Sequence, residues 1–161
     1  MAGLEAGYSV ESSRVGDRQT QFAKVDALLQ GVDLIYRYDS EPLKGSLEFI
    51  GENIWSRVDP VDYGTGTGGF NNRRQARYGQ VSYRAYKADV PVLKDLEWVF
   101  RFDQIDQPAG APDHTDRNRY TWGLDYWFSS RTVAKLCYEW EKQKDPKDNV
   151  CTVMGEVAMG F

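Results

Sequence analysis

A histidine and two aspartates lie close together in a Pro/Gly-rich segment, and these residue types can take part in hydrolysis. Asp113, His114 and Asp116 offer acid–base groups, but no serine occurs in an arrangement that would make it a nucleophile. His114 is the only histidine of the chain, so a zinc site of the usual ligands is not favoured either. The sequence therefore predicts no catalytic residue and no enzymatic activity.

Other motifs that could carry chemistry are also better explained as simple loops. The glycine-rich segment 63–69 lacks the Lys-Ser/Thr pair and the helix of a phosphate-binding loop. Pairs of aspartates, which lack the spacing of a calcium-binding loop, occur at Asp59 and Asp62, Asp113 and Asp116, and Asp145 and Asp148. We therefore predict solvated loops, with neither a metal site nor a cofactor.

Cys137 and Cys151 are the two cysteines of the chain, and they flank a predicted loop. A cross-strand disulfide would need both side chains on the same face of the sheet. The alternation of the neighbouring residues places them on opposite faces, which does not favour a bond.

Composition excludes several classes of protein. The net charge of −4 gives no basic surface for nucleic acid. The mean hydropathy is −0.61, and no segment approaches the roughly 20 consecutive apolar residues of a membrane helix. Residues 1–5, MAGLE, lack the basic and apolar regions of a signal peptide, so we expect a mature, trimmed or fragmentary form.

The dominant pattern is alternation with a period of two, which predicts β-strands with one apolar and one polar face. Residues 120–128 and 134–141 show it most clearly. The predicted fold is all-β, an antiparallel up-and-down transmembrane β-barrel in a single domain, 1–161. Its strands are predicted at about 3–13, 19–39, 43–57, 76–87, 95–106, 118–128, 131–142 and 150–161. In the long second strand we expect a bulge at Gly31, or a short helix over residues 21–30.

The connections between the predicted strands differ in length. Short ones fall at 40–42, 88–94 and 129–130, and long polar ones at 59–75, 107–117 and 143–149. Short turns on one side and long loops on the other are typical of outer-membrane barrels. The first connection, 14–18, does not fit this pattern, because it should be one of the long loops and is short.

The orientation of the two faces decides between a soluble and a membrane barrel. Rings turned inward would overfill a small lumen, whereas rings near the strand ends suit the two membrane interfaces. Predicted interface aromatics near the short connections are Tyr36, Tyr38, Trp98, Tyr126, Phe128 and Phe161, and those toward the long ones are Trp55, Tyr120, Tyr138 and Trp140. We therefore expect the apolar face to contact the lipid bilayer.

Three segments resemble known porins. Residues 153–161 (VMGEVAMGF) are similar to the C-terminal signature of outer-membrane barrels, and 118–136 and 31–38 (GVDLIYRY) are similar to porin strands. Together, residues 30–161 resemble the last strands of the phosphate-selective (polyphosphate) porin family. The resemblance implies a place in the bacterial outer membrane and recognition of the strand ending at Phe161 by the barrel-assembly machinery. Members of that family are longer and have more strands.

Charged residues on the polar face are the predicted lumen lining, where they would guide small solutes. They are Arg37, Lys44, Arg84, Arg101, Lys135, Glu48, Asp103, Asp125 and Glu139. Because this face carries more acid than base once Asp33, Glu97 and Glu156 are included, anion selectivity does not follow from the resemblance. In a barrel of eight strands alone, the same residues would instead pair with one another and fill the lumen.

Two alternatives to a porin-like diffusion channel remain open. A soluble calycin-like barrel would bury the aromatic face around an apolar ligand. A closed small outer-membrane barrel would act in structure or adhesion through its loops. Small solutes and lipid are the expected partners, a homo-oligomer is possible, and nucleic acid is not expected.

Overall fold

The chain forms one antiparallel sheet of eight strands in sequential order. The computed structural model describes residues 2–15, 24–60, 71–108, 114, 116–144 and 148–160. The strands are β1 (Ala2–Arg14), β2 (Asp26–Ser40), β3 (Gly45–Val58), β4 (Asn72–Arg84), β5 (Leu96–Asp106), β6 (Arg117–Ser129), β7 (Thr132–Gln143) and β8 (Asn149–Met159). A helix of four residues, α1 (Pro91–Lys94), precedes β5. The predicted all-β, up-and-down fold is confirmed.

The second strand differs most from its prediction. It begins at Asp26, where it pairs with Arg14 of β1, whereas residues 19–23 lie outside the described residues. The alternative of a helix over 21–30 is wrong for residues 26–30, because both β1 and β3 hydrogen-bond to this segment. The link from β1 to β2 therefore runs from 15 to 25, which makes it long as the loop pattern required.

Gly31 does not form the predicted bulge. Its pairing with Ser9 on β1 and Ile54 on β3 is part of an unbroken register. A Cβ at this position would lie 2.7 Å from Ser9 Oγ, so glycine makes room for a neighbouring side chain. A register shift occurs instead in β6, between Trp127 and Ser129.

The turn from β2 to β3 corrects one predicted lumen residue. Lys44 lies in this turn with a φ of 51°, not on the polar face of a strand, and its ammonium pairs with Asp89. That hydrogen bond, reinforced by charge attraction, holds the pKa of Asp89 below its ordinary value. The next residue, Gly45, is tightly enclosed, since a Cβ there would lie 2.3 Å from the Arg84 carbonyl oxygen.

The connections define two ends of the sheet. At the lower end the strands are joined by residues 41–44, 85–95 and 130–131, and at the upper end by 15–25, 59–71, 107–116 and 144–148. The connection 85–95 was expected to be a short turn, but it contains α1, which begins with Pro91 at a position that suits proline. The C-terminal strand ends at the lower end, and Phe161 lies outside the described residues.

The sheet has two unpaired edges and almost no dry core. Within the described residues, β1 pairs only with β2 and β8 only with β7, so the sheet is not closed. The buried apolar residues found there are Ala27 and Val133. No helix in the described part of the chain is both long and apolar enough to cross a membrane.

Candidate functional site

The register places two chemically different sets of side chains on the two faces of the sheet. The apolar face carries the row Leu4, Tyr36, Phe49, Val81, Phe100, Trp122, Tyr138 and Val153, which crosses all eight strands. The polar face carries the polar and charged positions between them, such as the neighbours Arg101 and Thr121. Strict alternation along each strand produces this separation, because successive side chains point to opposite faces.

Exposure of the two faces is the reverse of that in a soluble protein. On the apolar face, Trp98 is 57% exposed, Leu136 56% and Val153 69%. On the polar face, the side chains of Glu141 and Asp103 are only 13% and 21% exposed. On β5 to β7 these carboxylates are therefore shielded by their neighbours, while the large apolar side chains face outward. Such a continuous apolar surface is far larger than soluble monomers normally expose.

Aromatic rings cover the middle of the apolar face on β5, β6 and β7. Phe102 and Trp140 flank Tyr120 with ring centroids 5.1 and 5.7 Å away. Phe100 and Tyr138 flank Trp122 at 5.7 and 5.9 Å. The sequence predicted two separate aromatic belts near the two ends of the strands, but these rings also occupy positions between the two belts.

The predicted interface aromatics that the structure describes all lie on the apolar side of their strands. Tyr36 contacts Phe49, with centroids 6.3 Å apart. Tyr126 and Phe128 meet edge to face at 5.0 Å near the lower end. Tyr38, Trp98 and Trp140 occupy the same face in the register.

A row of polar residues crosses the apolar face toward the upper end. It consists of Asn53, Arg77, Gln104, Asn118, Lys142 and Asn149 on consecutive strands from β3 to β8. The Arg77 guanidinium donates to Gln104 Oε1 at 2.8 Å, and the Lys142 ammonium lies 4.0 Å from the centroid of the Trp140 ring. Amphipathic contacts of this kind suit the boundary between an apolar layer and water.

The upper limit of the apolar band crosses the sheet obliquely. On β1 the band reaches Val10, but on β8 it ends at Val153, which shares a register row with Leu4. The six-residue difference corresponds to about 20 Å along the strands, over about 34 Å across seven strand spacings. A level apolar layer would therefore require strands tilted by about 30°, close to the tilt of membrane barrels.

Charge pairs toward the upper end lie within β5 and between β6 and β7 on the polar face. Arg101 donates to Asp103 Oδ1 at 2.6 Å and stacks over Tyr78 at 3.9 Å. Arg119 donates to Glu141 at 2.9 Å, and Glu139 lies 3.9 Å from the same guanidinium. Basic and acidic groups thus alternate across this part of the polar face and give it a fixed pattern of charge.

Further pairs lie toward the lower end. Arg37 pairs with Glu48 on β3 and with Glu5 on β1. Arg84 lies 5.1 Å from the ring of Trp127, whose Nε1 donates to Glu97 at 2.9 Å. This arrangement confirms that Trp127 belongs to the polar face, as the alternation indicated.

Of the predicted lumen residues, all except Lys44 lie on the polar face. Lys135 and Asp125 are direct register partners there. Sequence reasoning missed Arg117, Arg119, Glu141 and Tyr78, although each follows the same alternation. Arg117 lies one residue before the predicted start of β6, and extending the period of two by one residue would have found it. Tyr78, Arg119 and Glu141 lie within the predicted strands, so the same alternation already covered them.

Asp116 ties the upper ends of three strands together. It accepts hydrogen bonds from the Gln107 backbone N–H at 3.0 Å and from the Lys144 ammonium at 3.2 Å. The first of these contacts is the main cause that lowers the pKa of Asp116 from its ordinary value, and Lys144 adds to it. Asp113, which the sequence grouped with His114 and Asp116, lies outside the described residues.

The two cysteines do not form a disulfide. Cys137 pairs in register with Met154 and Cys151 with Trp140, so they occupy opposite faces as predicted. Both thiols are free, and the Tyr138 hydroxyl donates to Cys151 Sγ at 3.2 Å. Among the described residues, no group of His, Cys, Asp and Glu is arranged to hold a metal ion.

Comparison with known proteins gives no further guide. No family model matches the chain, and no match is found among curated proteins or solved structures. The chain is thus characterised by its own geometry, an eight-stranded sheet with an exposed apolar face and a paired, charged polar face.

Proposed function

We propose that this chain forms the wall of an outer-membrane β-barrel, with its apolar face in lipid and its polar face along a water-filled lumen. In this role it would support passive diffusion of small polar solutes and perform no bond chemistry. The observation that carries the proposal is the reversed exposure of the two faces, since Val153 is far more exposed than Glu141. A hydrocarbon solvent makes that arrangement favourable, whereas water makes it costly.

The oblique upper limit of the apolar band supports the same placement. It follows from a tilted strand that crosses a layer of fixed thickness. Free edges at β1 and β8 fit a partial barrel, which closes when these edges pair with each other or with strands of another segment or copy. Carboxylates outnumber basic groups on the polar face, which favours cations over anions.

Conductance across a planar bilayer tests the channel role. The folded chain should produce discrete conductance steps with a preference for cations. A bulky residue on the polar face, Thr121→Trp, should lower the conductance, whereas Leu124→Trp on the apolar face of the same strand should leave it nearly unchanged. Absence of steps from protein that has folded and inserted would contradict the diffusion role, as would equal effects of the two variants.

A soluble calycin-like barrel would behave differently during purification. Because its apolar face would be enclosed, it would remain a monodisperse monomer without detergent. The proposal instead predicts that the chain aggregates without detergent and becomes monodisperse when micelles cover the apolar face.

A further inference from the structure

Two arginines face each other on the apolar face near the upper end, and neither pairs with an acidic side chain that the structure describes. Arg57 on β3 and Arg73 on β4 are direct register partners, and both are exposed. Opposed residues on one face lie about 5 Å apart at their Cβ atoms, where like charges repel. Within the described residues, neither guanidinium forms an ion pair.

Three described carboxylates at this end accept hydrogen bonds from other groups. Asp26 accepts a hydrogen bond from Arg14 Nε at 3.3 Å. Asp59 Oδ2 accepts one from the Asp26 backbone N–H at 3.4 Å. Asp106 accepts from Gln104 Nε2 at 2.9 Å. The repulsion between the two arginines is therefore not offset by an intramolecular ion pair that the structure describes.

The same two arginines line a hollow of about 490 Å³ at the upper end, which we call the arginine groove. Trp55, Leu28, Gln30 and Gln75 lie along it, so it combines a ring, an aliphatic side chain and two amides with the two guanidinium groups. Asp106 also borders the groove. Toward the lower end, the apolar face continues through exposed side chains of Val32, Leu34 and Phe49.

We propose that the arginine groove binds the anionic, phosphate-bearing headgroup of a lipid in the leaflet at the upper end. Guanidinium groups bind phosphate oxygens in a bidentate manner, and an anion between Arg57 and Arg73 converts their repulsion into attraction. The acyl chains would then lie on Val32, Leu34 and Phe49. This inference rests on the proposed function, because it requires the apolar face to be in the bilayer.

Native mass spectrometry of the chain in neutral detergent provides the main test, with phosphatidylglycerol and phosphatidylcholine as probes. The wild-type chain should retain phosphatidylglycerol in preference, and Arg57→Gln/Arg73→Gln should weaken that binding about tenfold. A matched control, Lys94→Gln/Arg131→Gln, removes two positive charges at the lower end and should leave binding unchanged. Equal loss in both double variants would overturn the proposal, because it would indicate a general effect of charge.

Thermal unfolding separates lipid binding from a structural role of the arginines. In neutral micelles Arg57→Gln/Arg73→Gln should unfold at the same or a higher temperature than wild type, since like charges are removed. In vesicles containing phosphatidylglycerol the order should reverse, because ligand binding stabilises only the wild-type groove. A variant less stable in both media would show that the arginines are structural and would overturn the inference.

Free phosphate is the remaining competitor for the arginine groove. Inorganic phosphate should not displace phosphatidylglycerol, because it lacks acyl chains for the apolar surface below; displacement would indicate a site for small anions instead. Insertion of wild-type protein into vesicles of phosphatidylcholine alone reports on the proposed function separately. Insertion without a preference for phosphatidylglycerol would overturn this inference only, whereas failure to insert into any vesicle would overturn both.

Discussion

The two faces of strand β6 differ in what stabilises them, although they share one backbone. On the apolar face, Tyr120 and Trp122 contact rings of β5 and β7. On the polar face, Arg119 binds Glu141 and lies near Glu139. Dispersion between rings survives in hydrocarbon, whereas paired charges benefit from a hydrated surface. One face of the strand therefore suits hydrocarbon and the other suits water. This difference between the faces is the basis of the functional proposal.

Lysine substitutions at neighbouring positions should give the largest difference between the faces. Trp122→Lys places an ammonium in the apolar band and removes ring contacts, so it should cost about 2–4 kcal/mol of unfolding free energy in a bilayer. Thr121→Lys adds the same charge beside Glu139 and should cost much less. Denaturant unfolding in lipid vesicles measures both.

Similar losses for Trp122→Lys and Thr121→Lys would contradict the difference between the faces. If the chain proves monodisperse in detergent-free buffer, against the proposal, the same pair measured there provides a second check. In a soluble fold, the loss of unfolding free energy in each variant would depend on packing alone and would be the same with and without lipid.

Removal of a charge pair should have a smaller effect on stability. Arg119→Gln leaves Glu141 without its 2.9 Å hydrogen bond, but the pair is partly solvated, so the expected loss is about 1 kcal/mol. A double-mutant cycle with Glu141→Gln measures this coupling. A coupling energy indistinguishable from zero would show that the pair does not stabilise the polar face.

Ion selectivity should respond to the polar face alone. Glu139→Gln removes one carboxylate from the excess of acids and should lower the cation-to-anion permeability ratio, while Arg101→Gln should raise it. Reversal potentials in a salt gradient measure both changes. A charge-neutral change on the apolar face, Tyr138→Phe, is the control and should leave the ratio unchanged.

Acid sensitivity at the upper end should be the smallest effect. Because the pKa of Asp116 is lowered in the folded state, its contribution is present above the unfolded pKa and is lost as pH falls through the folded value. On acidification below pH 4, the unfolding free energy of wild type should therefore fall by at most about 1 kcal/mol more than that of Asp116→Asn. Unfolding of both proteins between pH 7 and pH 3 measures the difference, and parallel pH profiles would contradict it.

Alternation predicted the strands and their faces because the period of two is a local property of the backbone. It correctly placed Arg101 and Asp125 opposite the rings of their own strands, and it separated Cys137 from Cys151. Strand ends were predicted less well, since they depend on partners far away in sequence. Asp26 begins β2 because it meets Arg14 of β1, and alternation within β2 carries no such information.

Lys44 and the arginine groove show two further limits of sequence reasoning. Lys44 continues the alternation of β3, but the turn requires a positive φ there, so the side chain leaves the face that alternation assigned. Arg57 and Arg73 become neighbours only through the register of β3 with β4. Pairing between strands, rather than any motif, creates both the aromatic cluster and this charged hollow.

Tryptophan fluorescence quenching tests the orientation of the two faces most directly. Single-tryptophan variants that retain either Trp122 or Trp127, with phenylalanine at the other tryptophan positions, report on opposite faces of β6 in the same vesicles. Lipids with brominated acyl chains should quench Trp122 strongly and Trp127 weakly, while aqueous acrylamide, an uncharged quencher, should do the opposite. Quenching of Trp127 by brominated lipid with Trp122 protected would contradict the account.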